Sequence, residues 1–333
     1  MTSLVALGGG PLFGLPLPEL WFALLFVMLG TFLFLDGFDF GAGAIFAALD
    51  DDDEREAVLA AIGPFWDGNE VWLVVFGGAL FASFPSVYAD LFSRHYLLMF
   101  GILGALILRG LAPEMYEQRH DPAWQRWWGR SFVAGSVLAP FLLGVFAGNW
   151  LAGSARSLTL VGVVVGVAVT LLTVVSGAAF LRLKAGRRLP EGVVQYGIAA
   201  AVGYLLAVVA TLALLAVRLP DGPDSLLTLP VVALVLAAVG LAVGYVVALR
   251  RDANLAALGS AAGLTYGLVS VVALVMYPAI DPATGTTVRE AIVSTLPLNL
   301  MSIGAALLLP LVTAYFVVLY SAFSGPVSAE EAY

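Results

Sequence analysis

The sequence lacks cysteine and is poor in histidine and in charge. Of its 333 residues none is Cys, two are His and 11% are Asp, Glu, Lys or Arg. The absence of cysteine excludes disulfides, thiolate metal sites and iron–sulfur ligation. Soluble domains carry about a quarter charged residues, so the scarcity of charge argues against a soluble fold. His95 and His120 fall at opposite ends of one apolar run, which predicts that they cannot both coordinate the iron of one haem.

Apolar sequence is abundant instead. Hydrophobic residues make up 61% of the chain, and the mean hydropathy is +0.99. They fall in runs of about 20 residues, the length of a bilayer-spanning helix. We therefore predict an all-α integral membrane protein with about nine transmembrane helices. The predicted spans are 18–48, 57–84, 88–112, 131–152, 158–182, 193–218, 228–250, 255–280 and 295–323. Residues 1–17 lack a basic n-region, so we expect an outer lead-in rather than a cleaved leader.

The positive charges predict the orientation. If the N-terminus is outside, the inner loops hold ten Lys and Arg residues, the outer loops four, and Arg109 lies within a span. Because cytoplasmic loops are enriched in Lys and Arg, we predict the N-terminus outside and the C-terminus inside. Residues 1–333 then form one polytopic domain, with acid-bearing helices in 18–152 and apolar scaffold helices in 153–323. Two four-helix bundles plus one helix would fit this arrangement.

Four acidic residues interrupt the first two spans. Asp36 and Asp39 share a helix face in DGFDFG, as do Asp67 and Glu70 in WDGNE. Counted from the predicted inner ends, Asp39 and Asp67 each lie about ten residues, or roughly 15 Å, into the membrane. Ionisable groups at that depth usually face a bundle interior or a hydrated path. We predict a proton route from the inner face or a cation site. The structural alternative is that Asp36 and Asp39 bond backbone freed by the neighbouring glycines.

Other polar groups in the spans allow more than one interpretation. Arg109 could neutralise an acid, contact a partner subunit or snorkel to the interface. Asn69 and Asn299 are typical of interhelical hydrogen bonds. Trp66 and Trp72 could flank a quinone or lipid, or simply pack in the bundle.

At these residues the chain resembles a known family. DGFDFGAG (36–43) and GPFWDGNEVWLVVFGGALFASFPSVYA (63–89) resemble subunit II of the cytochrome bd-type quinol oxidases. GNWLAG (148–153), MYPAI (276–280) and TLPLNLM (295–301) are similar to later landmarks of that family, in the same order. The resemblance covers nearly the whole chain, and the 63–89 block is specific.

The resemblance implies a nine-helix subunit that forms a heterodimer with a haem-bearing subunit I. That partner oxidises quinol near the outer face and reduces oxygen at haems b and d, with protons drawn from the cytoplasm. The acids that the family links to proton uptake correspond here to Asp39 and Asp67. In some members a structural quinone lies near the tryptophan that corresponds to Trp66. Phe65 and Glu70 are departures, because many relatives have His and Gln there.

We therefore expect a non-haem subunit of a quinol:oxygen oxidoreductase, in the plasma membrane of a prokaryote. It would stabilise subunit I and line part of its proton uptake path. This chain by itself would bind no haem, and small accessory subunits could join the complex. The net charge of −8 argues against a nucleic-acid partner. The alternative is a proton- or sodium-coupled secondary transporter, since such proteins use intramembrane acids near helix breaks. A stand-alone cytochrome is opposed by the histidine count.

Overall fold

The structure is a computed structural model that describes residues 10–218, 224, 226–323 and 325. Within these residues it consists of helices and one small antiparallel β-ladder. In chain order the α-helices are α1 Leu17–Phe46, α2 Asp52–Ile62, α3 Trp66–Ser83, α4 Pro85–Arg94, α5 Tyr96–Glu117, α6 Pro122–Leu151, α7 Leu160–Lys184, α8 Gly192–Arg218, α9 Leu229–Arg250, α10 Asn254–Met276, α11 Val288–Ala291 and α12 Thr295–Ala322, and two short 3-10 helices lie at Leu12–Gly14 and Gly186–Arg188. The predicted lead-in 1–17 lies partly, and the predicted loop 219–224 mostly, outside the described residues.

The β-ladder lies between α10 and α11. It pairs β1 Ala279–Asp281 with β2 Thr286–Thr287. The sequence predicted only a loop over 278–289, because strands of three and two residues are too short to give an alternating pattern.

Eight helices in the described part of the chain are long and apolar enough to cross a membrane: α1, α5 to α10, and α12. The chain is therefore a multi-pass helical membrane protein. The remaining predicted span, 57–84, is not one continuous helix, because turn residues 63–65 separate α2 from α3. Pro64 explains the break, since its ring blocks helical continuation and it has no N–H to donate. The total of nine spans and the orientation remain predictions.

Two further boundaries differ from the prediction. The predicted span 88–112 is divided between α4 and α5 at His95, whose φ of −117° and ψ of 25° are not helical. The polar stretch 113–130, predicted as a loop, is mostly helical. Its short turn ends at Asp121, whose side chain accepts the Trp124 N–H at 2.9 Å and caps α6. Hydropathy missed these helical ends because it detects only the apolar part of a helix.

Helix α1 lies at the centre of the described bundle. It packs along α7 and also contacts α3, α6 and α10. The backbones of α1 and α7 approach closely at Gly41, where a Cβ atom would lie 1.9 Å from the Thr173 carbonyl oxygen and 2.9 Å from the Gly177 Cα. Only glycine fits this contact. Helix α7, from the predicted scaffold half, is thus in direct contact with the acid-bearing helix.

The apolar core has distinct regions. Helices α7, α8, α9 and α10 share one cluster of buried side chains, and a larger cluster is centred on α1, α3, α5 and α6. The two-bundle arrangement remains a prediction. Helix α12 lies at the side of the described bundle, where the buried residues that it contributes are Leu298 and Asn299.

Candidate functional site: a buried arginine–carboxylate cluster

Three helices bring ionisable side chains together within the described bundle. Helix α1 carries Asp36 and Asp39 one turn apart, α3 carries Glu70, and α5 carries Arg109. Both aspartates are fully buried and Arg109 is 1% exposed, whereas the Glu70 side chain is 38% exposed. Asp39 lies seven residues before the end of α1, which is about 10 Å along the axis.

Arg109 is at the centre of this cluster. Its Nη2 atom lies 2.6 Å from Asp36 Oδ1 and 3.6 Å from Asp39 Oδ2, and its Nη1 atom lies 3.4 Å from Glu70 Oε2. The guanidinium also lies over the rings of Phe40 and Trp66, with its carbon 5.0 Å and 5.5 Å from their centroids. Arg109 is therefore buried beside the acids rather than extended toward an interface.

A glycine on α6 allows Arg109 to occupy this position. A Cβ atom at Gly135 would lie 2.5 Å from the Arg109 backbone nitrogen and 2.7 Å from its Cα. The backbones of α5 and α6 can meet at Arg109 only because residue 135 has no side chain.

Asn69 connects Asp39 to the last helix. Its Nδ2 group donates to Asp39 Oδ2 at 2.9 Å and to the Leu35 carbonyl oxygen at 3.3 Å. Its Oδ1 atom accepts a hydrogen bond from the Tyr320 hydroxyl at 2.8 Å. Asn69 thus hydrogen-bonds directly to the acid cluster and also bridges helices.

One oxygen of each buried aspartate makes no hydrogen bond within the described part of the chain. These atoms are Asp36 Oδ2 and Asp39 Oδ1. Buried polar atoms normally have a partner. A free carboxylate oxygen can accept a proton, so the cluster is chemically able to take up and release protons.

Asp67 does not lie with the other acids. It is exposed, in the first turn of α3, and its depth in the membrane remains a prediction. The helix break at 63–65 makes Asp67 a first-turn residue of α3 rather than an interior residue of one long helix. Asp67 and Glu70 remain one turn apart on α3, so Asp67 lies one helical turn from the cluster.

The other predicted polar positions have different surroundings. The half-buried ring of Trp66 faces Arg109. Trp72 is 8% exposed, with its ring centroid 5.7 Å from that of Phe316. Asn299 accepts from the Leu12 N–H and donates to the Gly10 carbonyl, so it fixes the segment before α1 to α12.

A second ion pair, which sequence reasoning missed, lies outside the spans at the predicted outer end. Arg94 donates two hydrogen bonds to the Asp281 carboxylate, at 2.7 Å and 3.1 Å. Burial by itself raises the pKa of Asp281, but hydrogen bonds from Arg94 and Thr284 outweigh that effect and hold the pKa below its usual range. Burial and the adjacent Arg94 lower the pKa of His95. The pairing partners are 187 residues apart, so no local pattern predicts them.

The two histidines of the chain lie too far apart to coordinate one haem. His95 and His120 flank α5, whose 22 residues separate them by about 33 Å. Within the described residues no group of three or more His, Cys, Asp or Glu side chains could hold a metal ion.

The fold and this cluster define a multi-pass helical membrane protein with ionisable groups in its interior. The family model "Cytochrome bd terminal oxidase subunit II" matches residues 17–323, and the chain belongs to this family. It is therefore a subunit of a terminal oxidase complex, as its sequence resemblance suggested.

Individual relatives agree with this membership. The chain is 32% identical over 339 residues to cytochrome bd ubiquinol oxidase subunit 2 of Bacillus subtilis, covering 95% of this chain and 98% of that protein. It is 38% identical over 135 residues to cytochrome bd-I ubiquinol oxidase subunit 2 of Escherichia coli, covering 40% of this chain and 36% of that protein. The fold is similar to a chain in the structure of bd oxidase from Geobacillus thermodenitrificans, with a TM-score of 0.77, 16% identity, and coverage of 92% and 98%.

Proposed function

We propose that this chain lines part of a proton uptake path from the cytoplasm to a haem-bearing subunit I, and that it stabilises that subunit. The observation that carries the proposal is the continuous set of polar contacts from half-exposed Glu70 through Arg109 to buried Asp36 and Asp39. Such groups are costly in a membrane interior and are typical of proton and ion pathways.

The order of the groups suggests a direction of transfer. Asp67 is exposed at the start of α3, and Glu70 follows one turn later at partial exposure. Asp39 and Asp36 lie deeper and each have a free carboxylate oxygen. We propose entry at Asp67, relay at Glu70 and transfer across the aspartates. Arg109 compensates their charge and keeps them in one cluster.

The surface beside Glu70 is the proposed contact with subunit I. The exposed side chains Val74 and Ile107 are apolar, and Gly77, Gly78 and Gly104 have no atom within 4 Å of a built Cβ position. Small residues permit close helix packing in membranes. A carboxylate that faces lipid is unfavourable, so coverage of Glu70 by a partner subunit would lower its energetic cost.

We assign the haems b and d that the family resemblance implies to subunit I, where quinol oxidation and oxygen reduction would take place. The half-exposed ring of Trp66 could also contact a structural quinone. Small accessory subunits and a prokaryotic plasma membrane location remain part of this proposal. No described feature favours the transporter alternative, since Asp36 and Asp39 lie within one continuous helix rather than at a helix break.

The test is Asp39→Asn in the assembled complex, reconstituted in liposomes. Oxygen consumption and proton uptake should both fall by about tenfold or more, since a positioned acid–base group commonly contributes a factor of about 100 or more. Haem absorbance should stay normal, which would establish assembly. Asp281→Asn is the matched control, because Asp281 is also buried and paired with an arginine but lies outside the cluster.

Asp67→Asn tests the entry point separately. Unchanged oxygen reduction and proton uptake with normal haem content would count against an entry role for Asp67. The same result for Asp39→Asn would remove the proton path from this chain altogether.

A further inference from the structure

Helix α12 is attached to the rest of the described chain at a few defined places. Near its start, the Trp21 indole N–H donates to Ser302 Oγ at 2.9 Å. Further along, Phe316 packs beside Trp72. At its end, Tyr320 reaches the acid cluster through its hydrogen bond to Asn69. This last contact joins a peripheral helix to the groups that we assign to proton transfer.

The Tyr320 hydrogen bond contributes to holding the Asn69 carboxamide in one orientation. With Tyr320 donating to Oδ1, both Nδ2 hydrogens face α1, toward Asp39 Oδ2 and the Leu35 carbonyl oxygen. When Asp39 is ionised, the flipped amide would place its oxygen against two acceptors, the Asp39 carboxylate and the Leu35 carbonyl. With Asp39 ionised, all three hydrogen bonds of Asn69 are therefore satisfied in one orientation of the amide.

Aromatic packing holds the Tyr320 ring for this contact. Its centroid lies 4.6 Å from that of Phe65 in a stacked pair, and 6.5 Å from that of Phe38 in an edge-on pair. The ring is therefore fixed independently of its hydroxyl group. Removal of the hydroxyl alone should leave the helix packing in place.

We propose that Tyr320 is a positioning residue for Asp39. Its hydroxyl holds the Asn69 carboxamide in place as a donor to the Asp39 carboxylate. The packed position of α12 therefore influences the hydrogen bonding of Asp39, the proposed buried proton carrier. This inference rests on the proposed function, because it assigns a positioning role within the same path.

The test is Tyr320→Phe in the assembled complex, with Tyr315→Phe as the control. Tyr315 is 59% exposed on the same helix, and its hydroxyl makes no hydrogen bond within the described residues. We expect proton uptake and oxygen consumption to slow about threefold to tenfold in Tyr320→Phe, which is the effect of losing one hydrogen bond. Haem absorbance and complex yield should match the parent protein, and Tyr315→Phe should behave as the parent in every respect.

Infrared spectroscopy supplies a readout that a purely structural role would not change. The carboxyl bands that are absent in Asp39→Asn are assigned to Asp39. These bands should shift in Tyr320→Phe and stay at the parent frequency in Tyr315→Phe. In an Asn69→Ala background, Tyr320→Phe should have no further effect on rate, because the group that it orients is gone.

Several outcomes would overturn the inference. These are unshifted Asp39 bands, an equal rate loss in the Asn69→Ala background, or failure of Tyr320→Phe to assemble when Tyr315→Phe assembles. Such an assembly failure would mean that the hydroxyl serves assembly instead. A normal rate in Asp39→Asn would contradict the proposed function itself. A slow Asp39→Asn with a normal Tyr320→Phe would contradict only the role of Tyr320.

Discussion

Replacing Arg109 with glutamine should destabilise the protein strongly. Arg109 is the cation of the buried cluster, with carboxylate oxygens of Asp36, Glu70 and Asp39 at 2.6, 3.4 and 3.6 Å. Glutamine keeps a polar side chain of moderate length but removes the charge. The aspartates would then remain buried without a compensating cation.

The magnitude follows from these distances. At an effective dielectric constant of about 20, each contact is worth about 4–6 kcal/mol before desolvation is considered. The loss is smaller than their sum, because the desolvation cost of Arg109, several kcal/mol, is removed with it. Proton binding by an aspartate reduces the loss further. We expect the free energy of unfolding to fall by about 3–5 kcal/mol, the usual effect of removing one partner of a buried ion pair.

The assay is reversible SDS-induced unfolding of the purified complex in mixed micelles, followed by tryptophan fluorescence. Arg289→Gln is a closely matched control. Arg289 lies 2.6 Å from Glu19, the same separation as in the Arg109–Asp36 pair, but its side chain is 75% exposed. Exposed ion pairs contribute little to the free energy of unfolding, so this variant should unfold close to the parent midpoint.

A double-mutant cycle decides whether the charge itself is responsible. Asp36→Asn in the Arg109→Gln background should recover part of the lost stability, because it removes one uncompensated carboxylate. Equal effects of Arg109→Gln and Arg289→Gln, together with no coupling between Arg109 and Asp36, would refute the electrostatic reasoning.

Three further predictions concern packing, pH and proton transfer. Gly41→Ala should destabilise the protein by about 1–3 kcal/mol, because the new Cβ atom would clash with the Thr173 carbonyl. Gly37→Ala should be tolerated, because its Cβ atom would lie 3.7 Å from the Thr173 side chain. Equal unfolding midpoints of the two variants would contradict this prediction. The pKa of Asp281 is lowered in the folded chain, so its stabilising effect is complete above about pH 5 and is lost as the pH falls below the ordinary value of 3.8. Asp281→Asn should therefore flatten the decline of the unfolding midpoint between about pH 5 and pH 3, and an unchanged pH dependence would disprove the contribution. Glu70→Gln can keep a hydrogen bond to the arginine, so proton uptake in liposomes should fall less than in Asp39→Asn, and an equal or larger fall would contradict the assigned order of the groups.

Much of the fold could be predicted from the sequence, because a bilayer imposes a simple length rule. Runs of about 20 apolar residues became helices, as in α7, predicted over 158–182 and observed over Leu160–Lys184. The rule failed at 57–84, where Pro64 separates two helices. It failed again at 113–130, where helices extend beyond the apolar stretch. Hydropathy reports the local preference for lipid, whereas a helical end is set by individual backbone groups.

The candidate site was only partly predictable, for a related reason. The spacing of Asp36 and Asp39 placed both on one helix face, and their depth singled them out. Asp67 had the same apparent depth and is nevertheless exposed. Nothing in the sequence near Tyr320 points to Asn69, from which it is separated by 251 positions.

The sequence by itself determined that the chain crosses a membrane as helices and that carboxylates interrupt its first span, because both depend on residue type and local periodicity. Only the tertiary structure decided which groups meet those carboxylates. Gly135 allows α5 and α6 to approach at Arg109, and α3 presents Asn69 to α1. Such contacts depend on how separate helices pack against one another, and no local pattern along the chain encodes that packing.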